Sequence, residues 1–391
     1  MGTKIGIAWP AKIHSGWGLL GLNLAIEVQR TRTATPIFLG PRPELYDPLL
    51  SRLLRPALAA SETERVADAA PGGPVKDLPY LVLHSVGTDM LRTPAGRPYR
   101  GSPDVAIVFI EHNVITPQGR ERGKGYRLLV AGSEWNADLL RAAGFERVVV
   151  WRQGIDTSRF HPAPERRLFP DRFVIFSGGA LQLRKGQDIV VKAFREFQRR
   201  REDALLITAW ANPYVQYART ILLSGIEASP FDSADPEKVD LDRWLIELGV
   251  PSHSFLNLPL MGNAAFPGIL RQADVALFPN RAEGGTNLVA MEAMACGIPC
   301  ILSPGTGHRD LIERFPCYPL TFRPFRPEPR LALGQEGWCE SSLDDVVATL
   351  EAVYADRERA RRTGAAAAER IVDWGWERQI PRLLDLIETN S

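Results

Sequence analysis

Short apolar runs recur along the chain. Each is followed by a polar or glycine-rich break and then by a stretch with helical spacing. In the first half the runs are Lys4–Pro10, Pro36–Leu39, Tyr80–His84, Val105–Ile110 and Leu128–Ala131. In the second half they are Arg172–Ser177, Leu205–Trp210, Phe255–Leu260, Val275–Phe278 and Cys300–Ser303. Runs this short, with little polar alternation, read as strands buried on both faces of a parallel sheet. The helical stretches between them make successive βα units, so the pattern predicts an α/β fold. At 391 residues the chain exceeds one typical core, which predicts two domains. The proline-rich stretch His161–Pro170 predicts the linker between a domain over 1–165 and a second over 166–370. Helical, Ala-rich stretches between Asp47 and Pro79, interrupted at Pro71-Gly72-Gly73-Pro74, point to no function.

One stretch carries the densest candidate chemistry. Val275–Phe278 leads into Pro279-Asn280-Arg281-Ala282-Glu283-Gly284-Gly285-Thr286-Asn287-Leu288, and an apolar helix follows from about Thr286 to Gly297. The first amides of a helix have no internal partners and sit at the positive end of its dipole. An anion against Gly285, Thr286, Asn287 and Leu288 would therefore be held by backbone N–H groups, with the glycines allowing close approach. Glu283 precedes the helix, and Glu292 is the lone charge between Thr286 and Gly297. A buried carboxylate needs donors, and sugar hydroxyls, a nearby Arg or an amide all qualify.

Three further stretches lie at predicted strand ends. Ser15-Gly16-Trp17-Gly18-Leu19-Leu20-Gly21 has the G-x-G-x-x-G spacing of a dinucleotide-binding turn, but the next strand ends in Gly40-Pro41 with no acidic residue for a ribose. Ala180-Leu181-Gln182-Leu183-Arg184-Lys185-Gly186 puts two adjacent cations just past a strand, where a diphosphate could be neutralised. Glu111-His112-Asn113 follows the strand Val105–Ile110, at the edge where ligands gather in open α/β sheets.

Composition narrows the classes. The chain is 45% hydrophobic and 24% charged with a formal net charge of +1, which argues against a general nucleic-acid binder. No apolar run approaches the roughly 20 residues of a membrane span, so the expectation is a cytoplasmic protein. Lys and Arg outnumber Asp and Glu by 22 to 16 up to residue 168. The densest basic run, Gly119–Arg127, has Arg92, Arg97 and Arg100 upstream; it reads as a solvated loop or as a surface for an anionic acceptor or membrane headgroups. Cys296, Cys300, Cys317 and Cys339 have no His at a zinc-ligand spacing and read as small buried residues.

The segment Glu283–Pro299, with Glu-Ala-Met-Ala-Cys-Gly-Ile-Pro, resembles the signature of the family 4 retaining glycosyltransferases. The resemblance implies the GT-B fold, two Rossmann-like α/β/α domains facing across a deep cleft, with the C-terminal helix 371–391 returning to the N-terminal domain. It implies a nucleotide-diphosphate sugar as donor, UDP- or GDP-linked, with no metal and no separate cofactor. By the same resemblance Glu283 contacts the transferred sugar, Glu292 the ribose and Lys185 the diphosphate; the family's second diphosphate cation falls at Ala180, so either Arg184 supplies that charge, or phosphate is held differently, or activity is weak. Gly16 and Gly18 form the family's glycine-rich loop, and His112 approaches the sugar.

Three departures stand out. The carboxylates are spaced Glu-x8-Glu where the family has Glu-x7-Glu, Gln153 stands where an asparagine is usual, and Ala180 occupies a position that is usually basic. The acceptor is open among glycan, lipid-linked glycan, protein and metabolite. Alternatives are a nucleotide-sugar epimerase or hydrolase on the same scaffold, and a non-catalytic sugar-nucleotide or glycan binder.

Overall fold

A computed structural model describes residues 3–390 apart from 33, 44, 46, 66–73, 165, 233, 236, 332 and 333. The Pro71-Gly72-Gly73 break therefore lies outside the described residues. The chain forms two compact units, Met1–Asp156 with Asp373–Ser391, and Thr157–Val372.

In the N-terminal unit the strands are β1 (Lys4–Ile7), β2 (Thr35–Phe38), β3 (Lys76–Asp77), β4 (Leu81–Val86), β5 (Tyr99–Arg100), β6 (Asp104–Val108), β7 (Leu128–Ala131) and β8 (Val148–Val150). Six of them form one parallel sheet in the order β2-β1-β4-β6-β7-β8, and β3 pairs with β5 separately. Apart from Leu81 and the three half-buried valines of the edge strand β8, their apolar side chains are buried on both faces, as a parallel sheet between helices requires. Helix α1 (Gly16–Thr31) starts at the N-cap Ser15, whose hydroxyl accepts from the Gly18 amide at 3.1 Å. Its buried face, Leu20, Leu24 and Val28, shares a core with Ile380, Leu383 and Ile387 of the C-terminal helix Trp376–Asn390. The Trp151 indole fixes that helix by donating to the Gln379 carbonyl at 2.7 Å. That is why the last residues belong to the first unit.

In the second unit the strands are β9 (Phe173–Gly178), β10 (Ala204–Ala209), β11 (Phe255–Asn257), β12 (Val275–Phe278), β13 (Cys300–Leu302) and β14 (Tyr318–Pro319). They form a parallel sheet in the order β11-β10-β9-β12-β13-β14. Phe173, Ile175, Phe194, Phe197, Trp244 and Leu350 lie in its core. The expected linker is tied into this unit. Gln272 accepts from the Leu168 amide and donates to the Arg166 carbonyl, and the Arg271 guanidinium donates to the carbonyls of Arg159 and His161.

The order of this second sheet runs outward from β9 in one direction and from β12 in the other. Loops leaving β9 and β12 therefore diverge to opposite faces and leave a crevice at their carboxyl ends, the usual ligand position in such sheets. Both candidate loops of this half, Gly179–Gly186 and Pro279–Asn287, leave the sheet there.

Candidate functional site

The two loops meet through one carboxylate. Glu283 is only 5% exposed. Its Oε1 accepts from Lys185 Nζ at 2.5 Å and from the Asn280 side-chain amide, and its Oε2 accepts from Arg184 Nη1 at 3.1 Å. Burial by itself would push the Glu283 carboxyl up, but the charges of Lys185 and Arg184 overcome that and hold it at about 2. The three side chains together carry one net positive charge.

The cation loop is held by its backbone and by a second arginine. Gly186 has φ +69°, and a Cβ there would lie 2.3 Å from the Pro279 carbonyl oxygen, so only glycine lets the loops pass this closely. Arg281 is 3% exposed. It forks onto Asp188 at 2.7 and 2.8 Å, onto Glu340 at 2.7 and 2.8 Å, and donates to the Leu183 carbonyl at 2.8 Å. Bidentate arginine pairs with fully engaged donors are the strong form of ion pair. The Arg184 carbonyl in turn accepts from the Arg281 amide at 2.7 Å. Arg281, Asp188 and Glu340 thus form the frame on which Arg184 and Lys185 are mounted. Arg281 stands in the signature stretch, yet its partners lie 93 and 59 residues away, and no local spacing announces them.

The helix start differs from the expectation. It is not Thr286 but Leu288, with Asn287 as N-cap at φ 61°. The Asn287 side chain accepts from the Ala290 amide at 3.4 Å and donates through Nδ2 to His308 Nε2 at 3.0 Å. The two glycines and Thr286 are thus spent on the approach to the helix, and the first helical amides belong to Leu288 and Val289. The Thr286 hydroxyl donates to the Met291 sulfur at 3.0 Å.

His308 is buried and hydrogen-bonded through both ring nitrogens. Its Nδ1 donates to the Ser303 carbonyl at 3.1 Å, which leaves Nε2 as the acceptor for Asn287. Burial pushes its pKa down to about 4, so the ring is neutral at pH 7. Gly307 closes the arrangement. Its amide donates to the Glu283 carbonyl at 3.0 Å, and a Cβ there would lie 1.7 Å from the Gly285 carbonyl oxygen. The Glu283 amide donates to the Thr306 hydroxyl at 2.8 Å. Glu292, 3% exposed, accepts from the Asn263 amide at 2.6 Å. The sequence alone left the identity of that donor open.

The structure thus brings Arg184, Lys185, Glu283, Gly285, Thr286, Asn287 and Leu288 together at the β9/β12 crevice, with Glu292 one turn into the helix. Gly16, Gly18 and His112 belong to the other unit. There Gly16 and Gly18 open α1 just after β1, and His112 follows β6, at the carboxyl edge of their sheet. Cys296, Cys300 and Cys339 are buried, and burial raises their thiols, Cys296 to about 12; Cys317 is half-buried and raised to about 11. Among the described residues no three His, Cys, Asp or Glu side chains are grouped to hold a metal ion. No helix among them is long and apolar enough to cross a membrane.

Comparison with known proteins follows the same geography. A family model described as "Glycosyl transferases group 1" matches residues 162–316, and one described as "Family 4 Glycosyltransferase in conflict systems" matches 263–383. A GDP-mannose-dependent alpha-(1-6)-phosphatidylinositol monomannoside mannosyltransferase of Mycolicibacterium smegmatis is 26% identical over 248 residues, 60% of this chain and 54% of the relative. A D-inositol 3-phosphate glycosyltransferase of Paenarthrobacter aurescens is 26% identical over 276 residues, 67% of this chain and 58% of the relative. The match thus spans little more than half the length of these curated relatives. Among solved structures, Anabaena HepE in complex with UDP superposes with a TM-score of 0.62 at 14% identity, over 99% of this chain and 100% of that one. That likeness extends through both units and establishes the fold as GT-B. The signature loop and the paired cations both lie inside the matched stretch, so residues 162–383 are similar to the group 1, family 4 glycosyltransferases.

Proposed function

We propose that the protein is a retaining glycosyltransferase that moves a hexose from a UDP- or GDP-linked donor to an acceptor hydroxyl. The observation that carries this reading is the convergence of Arg184 and Lys185 on Glu283 beside the Leu288 helix start. Two cations and a set of unspent amides at one point suit a diphosphate, and a firmly ionised carboxylate beside them suits sugar hydroxyls. Arg184 takes the part of the cation missing at Ala180, since its guanidinium reaches the same carboxylate as Lys185.

In this reading Glu283 holds both cations until donor arrives. The diphosphate then draws Arg184 and Lys185 to itself, and Glu283 turns to the sugar. As the glycosidic bond breaks, negative charge grows on the leaving diphosphate. Once donor is bound, Arg184, Lys185 and the amides of Leu288 and Val289 stabilise it without further reorganisation, the usual source of the largest rate contribution. Glu292, held by Asn263, orients the ribose. The contributions of Gly16, Gly18 and His112, and the absence of any metal requirement, rest on the family resemblance. The mannosyltransferase and inositol-phosphate relatives favour a polyol or lipid-linked polyol acceptor, met in the cytoplasm or at its membrane face.

Calorimetric titration with UDP, GDP, ADP and NAD tests the reading. The expected result is tight binding of one nucleoside diphosphate, lost in Lys185→Ala. No binding of any diphosphate would leave a non-catalytic binder as the better description. Incubation with donor sugar alone separates the epimerase or hydrolase, which consumes donor quickly without an acceptor.

A further inference from the structure

The basic stretch Gly119–Arg127 plays no part in the donor site. In the fold it meets the amino edge of the N-terminal sheet. A cavity of about 390 Å³ opens there, lined by Arg92, Arg100, Lys124, Arg127 and Arg147, with Asp104 as its carboxylate. Strand register explains the convergence. Asp104 is the first residue of β6, Arg127 immediately precedes β7 and Arg147 immediately precedes β8. Val105 is in register with Leu128, and Leu129 with Val148, so these parallel strands begin side by side.

Asp104 does not neutralise the group. Its Oδ1 accepts from the Gly101 amide at 2.6 Å and from His84 Nε2 at 2.8 Å, and its Oδ2 accepts from Arg92 at 2.9 Å. Burial opposes its charge, but the bonds from His84 and Gly101 and the charge of Arg92 hold the carboxyl below its usual range. Arg92 is occupied in turn by the Tyr126 hydroxyl at 2.7 Å and the Tyr99 carbonyl at 2.8 Å. Of the other four cations, Lys124 pairs with Glu121 of its own helix, and Arg100 approaches the exposed Asp77 at 3.5 Å. Among the described residues no carboxylate pairs with Arg127 or Arg147, and both are exposed.

We propose that this cavity binds a phosphate-bearing ligand, at the edge of the N-terminal sheet opposite Gly16, Gly18 and His112. A guanidinium fork matches two phosphate oxygens at once, and two forks that pair with no carboxylate among the described residues, at one concave, cation-lined surface, suit a phosphomonoester or diphosphate. The five-residue length of β6 separates this site from the carboxyl edge by on the order of 15 Å. It is therefore distinct from any donor position at that edge. The same chemistry is offered by a soluble phosphorylated metabolite and by a phosphoinositide headgroup.

The test compares the wild-type protein with the double variant Arg127→Ala/Arg147→Ala, titrating each with inorganic pyrophosphate. Binding heat that disappears with the arginines belongs to this cavity, whereas heat that survives there and disappears in Lys185→Ala belongs to the C-terminal unit. The two readings can thus fail separately. The expected result is an affinity loss of at least about tenfold for the arginine-dependent event. Arg127→Lys/Arg147→Lys should retain part of it, with melting temperature unchanged in both variants. Co-sedimentation with phosphatidylcholine vesicles, plain or containing a phosphoinositide, then names the source. Recruitment by the phosphoinositide that is lost in the double variant points to a headgroup. Arginine-dependent pyrophosphate binding without recruitment points to a soluble ligand. Equal pyrophosphate affinity in wild type and double variant overturns the proposal.

Discussion

In the C-terminal unit the sheet order reverses between β9 and β12, and at that point Arg184, Lys185 and Glu283 meet. In the N-terminal unit the order reverses between β1 and β4, and the chain leaving β1 there is Ala8-Trp9-Pro10. Trp9 is fully buried, with its indole donating to the Trp17 carbonyl at 2.8 Å, and the glycine-rich start of α1 follows. The N-terminal unit instead lines a cavity with cations at the opposite edge, where β6, β7 and β8 begin. Two parallel sheets of similar build thus distribute charge differently. A topological reversal supplies a crevice, but the loops that leave it decide whether it offers charge or mainly backbone and shape.

Each unit also contains an arginine–carboxylate knot: the buried Arg281 with Asp188 and Glu340 in one, the half-buried Arg92 with Asp104 and His84 in the other. The Arg281 side chain is 4% exposed and that of Arg92 is 23% exposed, so their losses should differ. Arg281→Ala leaves Asp188 buried without its partner and should cost about 3–5 kcal/mol. Arg92→Ala should cost clearly less, because water reaches the abandoned site. Denaturant melts of the two variants check this, and equal losses would break the comparison.

The next largest effect concerns turnover. Lys185→Ala should lower the transfer rate by about 100-fold or more, since it removes a charge from the leaving diphosphate. Arg127→Ala/Arg147→Ala should leave donor binding by calorimetry unchanged. Unchanged turnover in Lys185→Ala would remove the C-terminal crevice as the seat of phosphate chemistry.

A smaller effect is set by pH. His308 is held at about 4 in the fold against an ordinary 6.5, so the unfolded chain binds the proton more readily. The stability that neutral His308 contributes is complete above 6.5 and is lost as pH falls toward 4. Between pH 7 and pH 5 the loss should be about 2 kcal/mol. Glu283, held at about 2, contributes stability that is present above its ordinary 4.5 and lost below it. His308→Asn should flatten the pH 7 to pH 5 part of the melting curve, while a slope unchanged in that variant would assign it elsewhere.

Much of this was legible in one dimension. Buried apolar runs located the strands, because a parallel sheet covered on both faces tolerates few polar residues. The glycines at 284, 285 and 297 marked the signature helix to within two residues, and Arg184-Lys185-Gly186 after a strand marked the cation loop. The helix start was misplaced because Asn287 takes a positive φ and caps from its side chain, a choice that composition does not reveal.

The sequence by itself determined the strand and helix pattern, the signature loop and the identities of the charged residues, because these follow from local periodicity and from residue chemistry. The tertiary structure alone decided which charges meet. Glu283 is satisfied by cations 98 and 99 residues away, Arg281 by carboxylates 93 and 59 residues away, and Arg92 reaches Tyr126 across 34. Strand order and register set those encounters. Burial then turns each into a fixed partnership, because a charge removed from water must be matched by whatever the fold has brought within reach.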